Sequence, residues 1–249
     1  MLWSTEKDQL GRDTMLALYE RGLMKTWYRD RREGWELVSG RWSPFYLQLR
    51  PLCSFPDLLK SVGYALSRVV ANEVPDATRL VGIAMAGIPI ALAASFASGI
   101  TCTYTRKLEG VRSVEDLRRV LESYGEHRML EGEVGPGDRL VFVDDLVTGL
   151  DSKLIAIEQV RAQLAWDGVT GCATEDVLVL VDREQGAQTR ADELGVRLHS
   201  LIPFRSQALE WLRDNLAPVE YDVISDYLSD PDAFQDAADR ERVIALAPS

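Results

Sequence analysis

Residues 140–152, Leu-Val-Phe-Val-Asp-Asp-Leu-Val-Thr-Gly-Leu-Asp-Ser, set two adjacent carboxylates between an apolar run and a turn of small residues. The run from 140 to 143 suits a strand covered on both faces, as in parallel sheets, and Gly135-Pro136-Gly137-Asp138 supplies the turn before it. Asp144 and Asp145 then stand at the carboxyl end of that strand, where open α/β sheets bind ligands. Thr148, Gly149 and Ser152 offer hydroxyls and backbone N–H groups to a phosphate ahead of a helix N-terminus. Carboxylates can accept hydrogen bonds from vicinal ribose hydroxyls while such a loop holds the anion, which is the chemistry of sugar-phosphate recognition. The same letters also suit an ordinary strand-to-helix turn with Asp151 or Ser152 as N-cap. Taken alone, the stretch favours neither.

A second group points the same way. Arg106 and Lys107 end a strand-like segment, and adjacent guanidinium and ammonium groups meet a highly charged diphosphate through bidentate and point-charge contacts.

These residues need elements to hold them. Apolar spacing predicts helices over 10–27, 57–70, 153–166 and 204–216, and a buried strand over 177–181. Residues 35–50 read as a small aromatic hairpin turning at Ser39-Gly40, with Pro44 starting its second strand. Residues 80–105 carry no charge and imitate a membrane span, but Gly82, Gly87, Pro89 and Gly99 divide them. They read instead as strand 80–84, turn 85–89, helix 90–98 and strand 100–105, a buried βαβ unit. Residues 113–122 predict a short helix, with Ser113 and Asp116 at capping-box spacing. The acidic tail over 220–239 has scattered apolar residues and is expected to pack peripherally or fray.

With 249 residues, 46% of them apolar, the chain can bury one large core. One domain over 1–249 is expected: an N-terminal helix and hairpin over 1–55, a core over 56–210, and a helix and tail over 211–249. A net charge of −11 argues against a broad nucleic-acid footprint, so no nucleic-acid partner is expected. Cys53, Cys102 and Cys172 are odd in number and sit in apolar contexts, which fits reduced, buried thiols and a cytoplasmic setting. No basic segment followed by an apolar one opens the chain, so neither a signal peptide nor a membrane partner is expected.

The central stretch resembles the phosphoribosyl pyrophosphate (PRPP) motif of type I phosphoribosyltransferases, written as an apolar strand, two acids, two apolar residues, then Thr-Thr-Gly-x-Ser/Thr. Leu37-Val-Ser-Gly-Arg-Trp-Ser-Pro-Phe-Tyr46, with Leu49-Arg50, is similar to the hood of orotate phosphoribosyltransferases. Met85-Ala-Gly-Ile-Pro89 resembles that family's pyrophosphate loop. Tyr104-Thr-Arg-Lys107 resembles the start of its mobile catalytic loop, whose tail reappears as Tyr124-Gly125 and Glu131-Gly132. Asp182-Arg-Glu-Gln-Gly186, Leu194-Gly195-Val196 and Leu198-His199-Ser200-Leu201 match the family almost letter for letter.

Over residues 35–210 the resemblance implies the type I phosphoribosyltransferase fold, a doubly wound, mostly parallel α/β sheet flanked by helices with a small N-terminal hood. It implies a homodimer that converts orotate and PRPP to orotidine 5′-monophosphate and diphosphate, with Mg²⁺ bound mainly through PRPP. Arg106, Lys107, Asp144 and Asp145 would be catalytic. Ala86, Gly87, Thr148, Gly149 and Ser152 would bind PRPP, and Arg183, Phe45 and Tyr46 would contact orotate. An Arg–Glu turn salt bridge is the plainer use of Arg183, and a Gly-Pro turn that of Gly87.

Several letters depart from the family. Val38 and Glu122 replace lysines, Tyr124 replaces histidine, and the chain holds only five lysines. Either Leu150 stands at the motif glycine with Asp151 after it, or the loop is one residue shorter and Gly149 is that glycine. A carboxylate at Asp151 would oppose a phosphate. Arg118, Arg119, His127 and Arg128 either replace lost cations or form a solvated face. Two alternatives therefore stand beside the enzyme: a degenerate fold member that binds PRPP or a nucleotide as a regulatory or partner module, and a transferase for another nucleobase.

Overall fold

The computed structural model describes residues 2–37, 40–121 and 128–248. Val38, Glu122, Tyr124 and His127, named above, lie outside the described residues. The N-terminal part holds α1 (Trp3–Glu20), β1 (Met24–Thr26), β2 (Trp35–Glu36), β3 (Trp42–Ser43) and β4 (Phe45–Leu47). Next come α2 (Pro56–Glu73), β5 (Arg79–Gly82), α3 (Gly87–Ser98), β6 (Thr101–Thr105), α4 (Val114–Leu121) and β7 (Leu130–Glu131). Then follow β8 (Arg139–Val147), α5 (Asp151–Trp166), β9 (Ala173–Asp182), α6 (Ala187–Glu193) and β10 (Arg197–Pro203). The chain closes with α7 (Leu209–Trp211), α8 (Pro218–Ser229) and α9 (Ala237–Ala245).

The central sheet runs β10-β9-β8-β5-β6-β7, parallel except for β7, which pairs antiparallel with β6 at the edge. Strand alternation sends Val141 and Val143 of β8 into one apolar layer, and Leu140 and Phe142 into the other. Each of these side chains is almost fully buried, worth about 1.5–3 kcal/mol apiece for the larger ones. The order turns at β5/β8, with β6 on one side and β9 on the other, and a switch point of this kind opens a crevice at the strand ends. Gly87 seals that point. A Cβ there would stand 2.1 Å from Val143 O and 3.0 Å from the Asp144 Cα, so only glycine lets α3 approach β8 this closely.

Several elements differ from the sequence expectations. The helix after β5 begins at Gly87, three residues earlier than the spacing predicts, because Pro89 sits in its first turn, where a missing N–H costs nothing. The hairpin is β2 with β3; Pro44 then breaks the strand, and β4 pairs with β1 instead. Residues 204–216 form a π turn and the three-residue α7 rather than one helix. The cysteines are free, but Cys53 is exposed and the other two are half-buried.

The largest correction concerns the tail. It packs into the core: Ile224, Tyr227 and Leu228 of α8 are at most 3% exposed, and the Trp27 indole donates to Val243 O at 2.9 Å. Buried Glu220 accepts a hydrogen bond from the Thr26 hydroxyl, joining α8 to β1. No helix among the described residues is long and apolar enough to cross a membrane.

Candidate active site

Four loops meet at the carboxyl ends of the parallel strands. On β8 the strand continues past the end of β5, because Asp144 and Val147 still pair with Val179 and Asp182 of β9 while β5 stops at Gly82 opposite Val143. Asp144 and Asp145 therefore lie inside the strand but at the open side of the switch point. Asp144 is 7% exposed and is met by Lys153 of α5, whose Nζ is 2.9 Å from Oδ2. Lys153 also donates to Leu146 O and, at 3.2 Å, to the Ser152 hydroxyl. Burial, then the neighbouring Asp144 charge, push the Asp145 carboxyl up to about 7, against the pull of Lys153. A buried Asp145 pushed toward neutrality holds its charge most readily once something cationic lies across it.

The loop after β8 is decided by one dihedral. Leu150 has φ 68°, the left-handed conformation, and begins α5 without any side-chain cap. It takes the conformation that a glycine adopts without strain, and neither Asp151 nor Ser152 is the N-cap. Its side chain is 1% exposed in the layer beneath α5, and that burial offsets the roughly 1–2 kcal/mol cost of the conformation. Asp151 is paired with Arg190 of α6 at 2.7 Å, and Arg190 also donates to Gly149 O at 3.1 Å. The carboxylate that would repel a phosphate is thus balanced by a cation from a different element. Thr148, Gly149 and Ser152 are exposed around it.

After β9, the turn that carries Arg183 is built by its neighbours. The Asp182 carboxylate accepts the Glu184 N–H at 2.7 Å, Glu184 takes φ 56°, and its own carboxylate accepts the Ser206 N–H at 2.7 Å. Arg183 makes no ion pair among the described residues, so the Arg–Glu salt bridge does not form. Its guanidinium lies 4.8 Å over the Phe45 ring, and its Nε and Nη2 are buried with no hydrogen-bond partner among the described residues. Burial lowers its affinity for a proton, against support from the Tyr227 phenol.

The hood residue Phe45 is placed by the Ser43 hydroxyl, which donates to Phe45 O at 2.8 Å, and by stacking on Phe204 at 5.1 Å. Tyr46, the next residue along β4, points to the other face and stacks on Trp35 at 6.1 Å. The structure brings Phe45 to Arg183 and sets Tyr46 apart from it.

Arg106 and Lys107 leave β6 beside Ser152 and Ala84, around a cavity of about 200 Å³. Arg106 is half exposed and lies 3.6 Å from Glu131; Lys107 is exposed, with no partner among the described residues. The buried Gln159 amide donates to Arg106 O at 2.9 Å and Met129 O at 2.7 Å, tying both ends of the connecting segment to α5. Ala86, half-buried, precedes Gly87, whose N–H is taken by Ile83 O at 3.0 Å. Gly87 therefore serves close packing rather than anion donation.

No family model matches the chain. An orotate phosphoribosyltransferase of Saccharolobus solfataricus is 33% identical over 193 residues, 77% of this chain and 87% of that protein. The chain belongs to the orotate phosphoribosyltransferase family. Among solved structures, the orotate phosphoribosyltransferase of Aeropyrum pernix superposes with a TM-score of 0.63 at 26% identity, covering 80% of this chain and 97% of that one. The UMP synthase of Leishmania donovani superposes with a TM-score of 0.68 at 25% identity over 88% of this chain, which spans 42% of that longer chain. The fold is the type I phosphoribosyltransferase fold, with its six-stranded, mostly parallel sheet flanked by helices.

Against that family frame, the inserted α4 is a solvated face. Arg118 and Arg119 are 70% exposed and pair loosely with Glu115 and Asp116 of their own helix, and Arg128 pairs with Asp167. Ser113 and Asp116 do cap the helix as their spacing predicts. His199 of the family-like Leu-His-Ser-Leu segment also has a structural place, bridging Glu73 at 3.0 Å and Asp176 at 3.1 Å. The residues whose place around the site escaped the sequence are Lys153, Arg190, Gln159 and Tyr227. Only Lys153 left a trace there, as one of the five lysines directly after the loop.

Proposed function

We propose that this chain transfers the phosphoribosyl group of PRPP to orotate, giving orotidine 5′-monophosphate and diphosphate in pyrimidine nucleotide synthesis. The observation that carries this reading is the Arg183 fork: a buried planar pair of N–H donors without a partner among the described residues, held over an aromatic ring. Such a fork suits the carboxylate or imide edge of a pyrimidine acid. In the reaction the bond from ribose C1 to the diphosphate oxygen breaks and a bond from C1 to the base nitrogen forms. Thr148, Gly149 and Ser152 hold the 5′-phosphate, and Asp144 and Asp145 hold the ribose as it becomes cationic. Arg106 and Lys107 receive the charge of the leaving diphosphate, and Arg183 with Phe45 orients the base.

No cluster of three metal-ligating side chains occurs among the described residues. The two carboxylates fit Mg²⁺ as it is often bound, through one or two acids together with substrate phosphates. Asp144 and Asp145 would hold it beside PRPP, where the ion neutralises charge on the diphosphate. The free cysteines fit a cytoplasmic setting.

Incubation with PRPP, Mg²⁺ and orotate should consume orotate absorbance in step with diphosphate release. Lys107→Ala should lower the rate more than about tenfold, the worth of one charge-assisted contact. Because the ionised Asp145 is needed and its carboxyl titrates near 7, kcat/KM should rise with pH through about 7 in the free enzyme. Thermal stabilisation by PRPP without turnover would turn the assignment to the regulatory module, and turnover of uracil or a purine with orotate inert would turn it to another base.

A homodimer is part of the same proposal. α3 is apolar around its whole circumference yet leaves Phe96 86% and Leu92 38% exposed, beside Tyr64 of the neighbouring α2 at 53%. Sedimentation should show a dimer that Phe96→Glu splits; a monomeric wild type removes the proposal.

A further inference from the structure

The tail and the hood enclose a cavity of about 530 Å³, lined among others by Leu37, Arg41, Thr148, Gln185, Tyr227 and Pro231. It touches the PRPP loop and the Arg183 turn, yet Arg183 itself is sealed off from it. The residue between them is Tyr227. It is 1% exposed, lines the cavity, supports the Arg183 charge, and meets Phe45 edge-on at 5.9 Å and Phe234 at 5.6 Å. The segment that carries it is clipped to the hood from outside. Arg41 pairs with Asp232 at 2.6 Å, the Gln235 side chain accepts the Trp42 N–H at 2.8 Å, and its amide donates to Trp42 O at 3.2 Å.

We propose that residues 218–235 are a strap over the base site, and that Tyr227 is the positioning residue that covers the Arg183 fork until a pyrimidine acid displaces it. The inference rests on the orotate reading above. The fork has two buried donors without partners, so the covered state leaves their hydrogen bonds unmade, and a carboxylate or imide edge makes them. The clip to the hood is a half-exposed ion pair and one side-chain amide, contacts weak enough to open within a catalytic cycle, while buried Glu220, Val223 and Ile224 keep the first half of α8 seated on the core as the hinge. A site competent for orotate only when the strap lifts has an apparent affinity reduced by the open fraction.

Two measurements test this. In wild-type protein, hydrogen exchange over 218–235 should speed up on adding orotate and stay unchanged on adding PRPP alone. In Asp232→Ala/Gln235→Ala, which leaves the buried face of α8 intact, KM for orotate should fall about three- to fivefold with KM for PRPP unchanged, as expected when a weak latch is removed. Protection of 218–235 by orotate, an unchanged or raised orotate KM in the latch variant, or a parallel shift in both KM values overturns the strap while orotate turnover stands. A wild type that neither turns over nor binds orotate defeats the functional reading itself, and the strap with it.

Discussion

Lys153→Met is expected to lower the free energy of unfolding by about 3–5 kcal/mol, the usual cost of stripping one partner from a buried ion pair. Lys153 is 4% exposed, and its ammonium serves Asp144, Leu146 O and the Ser152 hydroxyl at once. Methionine fills the same volume but leaves Asp144 buried and unpaired beside Asp145. The pH dependence carries a second signature. The folded-state Asp145 titrates near 7, above the value of about 3.9 in an unfolded chain, so between those limits the folded protein holds more protons. That contribution to stability is complete below about pH 4 and is lost as pH rises through about 7. Lys153 pulls the Asp145 carboxyl down, so without it the group titrates higher and the loss moves to higher pH. Urea unfolding at pH 5 and pH 8 checks both parts. Equal stability of variant and wild type at both values would mean that Asp144 finds water or another cation in place of Lys153.

Arg183→Met should move stability and catalysis in opposite directions. The arginine is 6% exposed, and two of its donor nitrogens lack a partner among the described residues, so the cost of burying its charge is only partly offset by the Phe45 ring and the Tyr227 phenol. Replacing it with an apolar side chain of similar length should be neutral or stabilising by about 1–4 kcal/mol. In a domain of this size that raises Tm by roughly 2–4 °C per kcal/mol. The same change removes both donors of the fork, each worth about 1.5–3 kcal/mol against a charged partner, so kcat/KM for orotate should fall at least about 100-fold. KM for PRPP should hold, because the phosphate loop and the carboxylates lie on β8 and α5. Thermal denaturation and steady-state kinetics on one preparation decide the matter. A destabilised variant would show that the fork has a structural partner, and an unchanged rate with orotate would remove Arg183 from base recognition.

Much of the molecule was legible in its letters because much of it is local. A continuous apolar run specifies a strand buried on both faces, and Gly and Pro interrupt the uncharged stretch before β6 wherever the backbone turns. Placing the acids, the Arg-Lys pair and the Arg183 turn after successive parallel strands was enough to gather them at one end of a sheet. The tail escaped for a different reason. Glu220, Val223, Ile224, Tyr227 and Leu228 share one helical face, but acidic residues on the solvent side mask that spacing, and what it packs against is some 180 residues earlier, at Thr26 and Phe45.

What only the tertiary structure decided are the pairings between distant segments. The letters do not show that Leu150 takes a left-handed turn; the backbone does, and the layer that buries its side chain makes that dihedral tolerable. Asp151 looks hostile to a phosphate until α6 brings Arg190 against it. Phe45 and Tyr46 look equivalent until strand alternation sends one to Arg183 and the other to Trp35. Lys153 looks like an ordinary first-turn lysine until the close seating of α5 on β8 buries it on Asp144. Propensity and periodicity act between neighbours a few residues apart, whereas charge balance and side-chain satisfaction depend on which elements the packing brings together.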